Sequence, residues 1–169
     1  QVTNPAIDPI REELVMELTT YIGPEKNLLA ETPEHCHRLE LEHPVLTNKD
    51  LEKIRAISKG HFDSSTINIL FDPDAKHGMR NRLDQVSDEA ANAVRNGKNL
   101  IILSDRGVAH NMAPIPSLLA VAAVHNFLVT AGLRTRTGLV IEAGEPREVA
   151  HFAMLLGYGA NAVNPYLTI

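Results

Sequence analysis

Two kinds of hydrophobic spacing divide this 169-residue chain. Up to residue 65 the apolar positions are irregular and broken by proline; from Thr66 onward, short aliphatic runs alternate with helical stripes. The runs Ile67–Phe71, Asn99–Leu103 and Thr137–Ile141 are β-branched or aliphatic and bounded by turn residues. They read as buried strands, with Ala160–Val163 as a weaker fourth. Met79, Leu83, Val86, Ala90 and Val94 form a helical stripe that stops at Asn96-Gly97, a C-terminal signal. Ser117–Ala131 is apolar nearly all round, which predicts a deeply packed helix ending at Gly132. Pro146 opens a last expected helix, with Val149, Phe152, Ala153 and Leu156, closed by Gly157. Strands and helices alternating at this spacing imply crossover connections and a parallel sheet. The fold class is α/β: a mainly parallel sheet of about four strands with crossover helices, either open or an incomplete barrel. The expected core includes Ile69, Ile101, Leu119, Val124, Val140, Phe152 and Leu156.

The earlier part reads differently. Asp8-Pro9 is a helix start, with Ile10, Leu14 and Leu18 recurring until Gly23-Pro24. Gly23 to Pro44 reads as an ordered loop or short strands lying over something else. Thr47 with Asp50 resembles a capping box, and Leu51, Ile54 and Ile57 line one face of the helix that follows. Residues 1–65 are thus expected to pack on the βα repeat of residues 66–169 as one structural domain. The chain opens on Gln1 in motif-like sequence and stops just after the fourth run. Both suggest a piece cut from a longer polypeptide, truncated at its C-terminus.

Composition narrows the function classes. With 16 Lys and Arg against 21 Asp and Glu, the net charge is −5 and no basic stripe exists, which argues against nucleic acid. Aromatics are 4% with no Trp, too few for a base-stacking platform. The single cysteine, Cys36, excludes an internal disulfide and a thiolate metal cluster. The most apolar run, Leu118 to Val129, is shorter than a membrane span and contains His125 and Asn126. No membrane span and no signal segment are expected, and the lone cysteine reads as a reducing compartment.

In a parallel α/β sheet, ligands meet the carboxyl ends of the strands. There the chain carries Asp72 and Asp74, then Ser104, Asp105, Arg106 and Gly107, then Glu142 and Glu145, and finally Asn164. Asp72, Ser104, Asp105, Arg106, Glu142 and Asn164 are the binding candidates. One reading makes this rim a site for a small anion or metabolite, with Arg106 holding the anion and a carboxylate as base. The other makes it structural, with Asp and Ser capping helices, Gly107 turning and Arg106 pairing with a carboxylate. Gly157-Tyr158-Gly159-Ala160-Asn161-Ala162 fits a dinucleotide fingerprint in letters but not in context, because it closes a helix and enters a strand. His35-Cys36-His37 has no second ligand pair at metal-site spacing. Neither His77 nor His110 is fixed against a nucleophile. His125 and His151 fall within apolar helices and read as packed, hydrogen-bonded imidazoles. No catalytic residue and no metal ligand emerges from this reading.

Five runs stand in order along the chain: Gln1-Val2-Thr3-Asn4-Pro5-Ala6-Ile7-Asp8-Pro9-Ile10, Gly23-Pro24-Glu25-Lys26-Asn27-Leu28-Leu29, Leu103-Ser104-Asp105-Arg106-Gly107-Val108, Pro114-Ile115-Pro116-Ser117-Leu118-Leu119, and Leu155 to Leu167. Together they resemble the central region of the glutamate synthase large subunit. The resemblance implies a scaffold between an N-terminal amidotransferase domain and an FMN domain of the same chain. Ammonia would pass between their sites, and 2-oxoglutarate would be aminated and reduced to glutamate. The parent would be an oxidoreductase using FMN and a 3Fe-4S cluster, fed by ferredoxin or by NAD(P)H through a small subunit. Its location would be cytoplasmic, or the plastid stroma in a plant or alga. Cys36 lies mid-chain and outside the amidotransferase motif, so no catalytic residue transfers and the piece itself is expected to be inactive. A surface stripped of its sister domains, with a bare sheet edge beside Val163, is expected to self-associate.

Overall fold

The computed structural model describes residues 13, 15–57 and 62–169. The expected helix start at Asp8-Pro9, with Ile10 and Leu14, lies outside the described residues. At the far end of that expected helix the chain is instead a strand, β1 (Thr20–Ile22), antiparallel to β2 (Leu39–Leu41). Thr20, Tyr21 and Ile22 favour extended backbone, and pairing with β2 fully buries Ile22. Helix α1 (Asn48–Ala56) follows, its first turn capped by Thr47, whose hydroxyl accepts from Asp50 N–H at 3.2 Å. Leu51 and Ile54 are its buried residues; Ile57 already has extended backbone and stands outside the helix.

Four parallel strands form the main sheet: β3 (Ser64–Asn68), β5 (Leu100–Ser104), β7 (Gly138–Glu142) and β8 (Ala162–Asn164). Between β3 and β5, β4 (Leu70–Phe71) leaves the sheet and pairs antiparallel with β6 (Ala113–Pro114). The first strand therefore starts and ends three residues earlier than the aliphatic run Ile67–Phe71 suggests. Its true beginning, Ser64-Ser65-Thr66, is polar because β3 is an edge strand. Its end is a bend, where the Asn68 side chain accepts from Leu70 N–H at 2.7 Å. The other strands fall within two residues of expectation.

Sheet order follows chain order, β3-β5-β7-β8, and β3 and β8 are opposite edges of an open sheet, so no barrel closes. Helices α2 (Gly78–Arg95), α3 (Ser117–Thr130) and α4 (Val149–Gly157) all pack against one face. Val86, Ala90, Val94, Val121, Val124, Leu128 and Leu155 meet Ile101, Leu103, Leu139, Ile141 and Val163 there. Ile22, Leu46, Leu51 and Ile54 cover the other face, against Leu100, Ile102, Val140 and Ala162. Period-two alternation thus sends neighbouring residues of β5 into different cores, and every residue of β5 and β7 is buried.

Helix α3 is less deeply packed than its composition implies. Leu119, Phe127 and Val129 are exposed, while Ala120, Val121, Val124 and Leu128 face the sheet. Phe152 and Leu156 are only partly buried. Helix α4 begins at Val149 rather than at Pro146. Its start is a capping box in which the Glu148 carboxylate and the His151 ring each meet the other's backbone N–H. The edge beside Val163 is not bare: Leu46 N–H donates to Val163 O, and Val163 N–H to Pro44 O, both at 2.8 Å. Among the described residues, no helix is long and apolar enough to cross a membrane.

Candidate functional site

Strand register gathers the polar residues. Asn68, Ser104, Glu142 and Asn164 are consecutive partners across the four strands, forming one row at the carboxyl edge. The row shares the face of Leu100 and Ile102 by alternation, so it looks toward α1 and not toward the three crossover helices. Glu142 is fully buried. Its carboxylate accepts from the Arg55 and Arg106 guanidiniums and from the Ser104 hydroxyl. Arg106 Nη2 also donates to Asn48 Oδ1 at 3.1 Å, and Asn164 Nδ2 donates to Leu46 O at 2.9 Å and Asn48 Oδ1 at 3.2 Å. The result is a clasp between the sheet edge and both ends of α1, through Asn48 and Arg55.

Burial alone would push the Glu142 carboxyl up, but the bonds from Arg55, Ser104 and Arg106 together outweigh it and hold the group below the usual range. Arg55 shows the mirror image: burial opposes its charge, and its bonds to Glu142 and Glu52 restore and exceed it. A carboxylate with three donors and a depressed pKa is a poor general base. Its chemistry here is to hold two cations from different elements.

Asp105 faces away from this row. Its Oδ2 accepts from Gly144 N–H at 2.9 Å, its Oδ1 is buried without a hydrogen-bond partner, and the Tyr166 hydroxyl lies close enough to act on its charge. Burial raises its carboxyl above the ordinary value. Burial and the adjacent Asp105 push the Tyr166 hydroxyl up to about 12. The Arg106 guanidinium stacks over the Tyr166 ring, 4.1 Å from its centroid, linking the two groups.

The structure thus joins Ser104, Arg106 and Glu142 directly, links Asn164 to them through Asn48, places Asp105 beside them, and leaves Asp72 apart. Asp72 follows β4, outside the main sheet, and its Oδ1 accepts from Asp74 N–H at 2.9 Å in an exposed turn. The aliphatic run continues past the strand's end, which is why sequence reading set Asp72 in the row where Asn68 belongs. Arg55, Asn48 and Tyr166 were also missed. Asn48 and Arg55 stand three before and four after Leu51, so helical spacing put both on the buried face. For Tyr166 the sequence held no such signal. Glu145 serves α3, accepting from Ser117 N–H at 2.8 Å and from its hydroxyl.

Other candidates resolve locally. Gly157 ends α4 and Gly159 turns at φ 116 into β8, so the fingerprint-like run sits at a helix C-terminus. His125 accepts from Arg134 Nε at 3.0 Å, and burial followed by that neighbouring charge lowers its pKa. His151 belongs to the α4 cap. Cys36 is exposed, and no group of three His, Cys, Asp or Glu suited to a metal ion occurs among the described residues. One cysteine in the sequence cannot ligate an iron–sulfur cluster, so the cluster implied above does not fit this chain.

Comparison with known proteins follows the same line. The model of the glutamate synthase central domain matches residues 1–169. The NADPH glutamate synthase large chain of Bacillus subtilis is 43% identical over 167 residues, which are 99% of this chain and 11% of that protein. The NADH glutamate synthase of Schizosaccharomyces pombe is 42% identical over 172 residues, 100% of this chain and 8% of that protein. A chloroplastic ferredoxin-dependent glutamate synthase of Oryza sativa is 41% identical over 175 residues, 100% of this chain and 11% of that protein. The chain therefore spans only a small part of the length of these relatives, whatever their electron donor, and it belongs to the glutamate synthase central domain family.

Proposed function

We propose that the polypeptide containing this chain is a glutamate synthase, converting L-glutamine, 2-oxoglutarate and a reductant into two L-glutamate, and that this stretch is its non-catalytic scaffold. Supporting the first part is a match of nearly equal strength to relatives named for NADPH, NADH and ferredoxin. A stretch shared at 41–43% identity across three donors does not choose the donor. Donor recognition, FMN, the 3Fe-4S cluster and glutamine hydrolysis then belong to other domains, with ammonia passing between them. In this reading the whole is cytoplasmic, or stromal where the parent is chloroplastic as in the Oryza sativa relative.

One observation carries the scaffold reading. The charged groups of the strand-end row are spent on one another: Glu142 on Arg55 and Arg106, and Arg106 further on Asn48 and Tyr166. A small-anion site would need Arg106 free, so the alternative of a metabolite-binding rim at Asp105 and Arg106 is the weaker one. The test is glutamate formation from glutamine and 2-oxoglutarate by the full-length parent, with each donor in turn. Alongside it, the chain is melted with small anions and with FMN. Activity in the parent with no ligand-dependent rise in melting temperature is expected. A rise that grows with ligand concentration would overturn the scaffold reading, because a real site stabilises by mass action.

A further inference from the structure

Leu28 and Leu29 are 92% and 94% exposed, adjacent, and at the tip of a loop. Such exposure normally belongs to a loosely held tip, yet this loop is built. The Asn27 side chain accepts from Leu29 N–H at 3.0 Å, and its carbonyl accepts from Ala30 N–H at 2.9 Å. The ring of His35, in the 3-10 turn Pro33–Cys36, lies 3.0 Å from Asn27 O through Nε2 and 2.9 Å from Thr32 O through Nδ1. One end of the loop is tied to the body, and the two ends are tied to each other. Glu25 N–H donates to Thr135 O, and the Glu25 carboxylate pairs with Arg38 at 3.1 Å. Two leucines are therefore held out in a fixed posture, rimmed by the exposed Glu25, Lys26, Glu31 and Glu34.

We propose that Leu28 and Leu29 form a docking knob that inserts into an apolar pocket of another domain of the same, longer polypeptide. The inference rests on the reading above that this chain is one domain of a glutamate synthase, and it adds which surface makes the contact. Size chooses the occupant. A stable contact between separate molecules buries about 800 Å² on each partner, more than two side chains at a loop tip can supply. A second copy of this chain is thereby disfavoured. Within one polypeptide the effective concentration is on the order of millimolar, so a small, pre-organised contact suffices. The chain spans 11% or less of the relatives compared, which leaves ample polypeptide to provide the pocket.

The experiment is hydroxyl-radical footprinting of Leu28 and Leu29 in the full-length parent, normalised to a synthetic peptide of residues 25–38. Oxidation at least fivefold slower than in the peptide, unchanged on dilution, is the expected result. In a full-length Leu28→Ser, Leu29→Ser double variant, amide exchange across residues 25–38 should quicken while circular dichroism stays unchanged. Peptide-like oxidation in the native parent overturns the proposal, and so does protection that disappears on dilution, which would point to a second copy. Glutamate formation is measured on the same wild-type sample. An active parent with exposed leucines sinks the docking knob alone, whereas an inactive parent sinks the functional reading instead.

Discussion

Glu142 is the residue on which the strand-end row turns. It is wholly buried, and Arg55 and Arg106 keep partial access to water, with side-chain exposures of 22% and 46%. Glu142→Gln keeps the shape and removes the charge, so both arginines lose their counter-ion. A loss of about 3 kcal/mol is expected, the low end for a broken buried pair because each cation retains a route to solvent. The pH dependence has a definite sign. A carboxyl held below its ordinary 4.5 when folded contributes stability that is present above that value and is lost as pH falls through the folded pKa. Denaturant melts of Glu142→Gln should therefore show a flatter acid limb than wild type. An identical limb would mean that Glu142 is not the titrating group. Asp105, raised when folded, acts oppositely and weakens the fold as pH climbs from 3.8 through its folded pKa. At Arg106, the Nε bond to Glu142, the Nη2 bond to Asn48 and the stack on Tyr166 all use a planar fork. Arg106→Lys should cost about 1–2 kcal/mol and leave activity of the full-length parent intact. A variant that melts like wild type but abolishes that activity would make the residue functional.

Elements in this fold are finished by distant residues. No side chain of its own caps the N-terminus of α3; Glu145, in the loop after β7, does so across the sheet edge. Glu145→Ala should cost about 0.5–2 kcal/mol, as for other lost N-caps, read by chemical denaturation. Ser117→Ala in the same background should then add little, because its hydroxyl has lost its partner. The turn from α4 into β8 rests on Gly159. Its φ is 116, and an added Cβ would lie 2.2 Å from His125 Nδ1. Gly159→Ala thus meets both backbone strain and a collision with an imidazole fixed by Arg134. A loss of about 2–4 kcal/mol is expected. Gly157→Ala, with no atom within 4 Å of the added carbon, should be nearly silent. Equal effects of the two substitutions would contradict this assignment of roles within the glycine-rich run.

At the scale of the whole molecule, one sheet serves two cores. Leu100 and Ile102 face α1 and the β1–β2 pair, and Ile101 and Leu103 face the crossover helices. Neither core can empty without disturbing the other. Leu51→Ala on α1 and Val124→Ala on α3 should both destabilise, by about 2–5 and 1–3 kcal/mol. Each should leave a single transition, followed by circular dichroism and by amide exchange of β5. Loss of exchange protection on the α1 side alone in Leu51→Ala would show that the first stretch opens separately. Self-association through the edge beside Val163 loses its basis, because residues 44–46 already occupy it.

The α/β class, the parallel strands, the helix stripe of Val86, Ala90 and Val94 and the stops at Gly97 and Gly132 were legible from the sequence. All of them follow from local spacing and backbone preference, which act over a few residues. The strand-end candidates Ser104, Arg106, Glu142 and Asn164 were legible too, since a parallel strand's carboxyl end is defined by where its aliphatic run stops. Their roles were not. Whether Glu142 is a free base or a buried counter-ion depends on Arg55, 87 residues away in sequence. Asn68 and Asp72 exchanged places because a bend at an edge strand leaves no mark in hydrophobic periodicity. Thr20–Ile22 became a strand instead of a helix end because β2 was there to pair with it. Pairing partners, burial and charge neutralisation are relations between distant segments, and only the folded chain decides them.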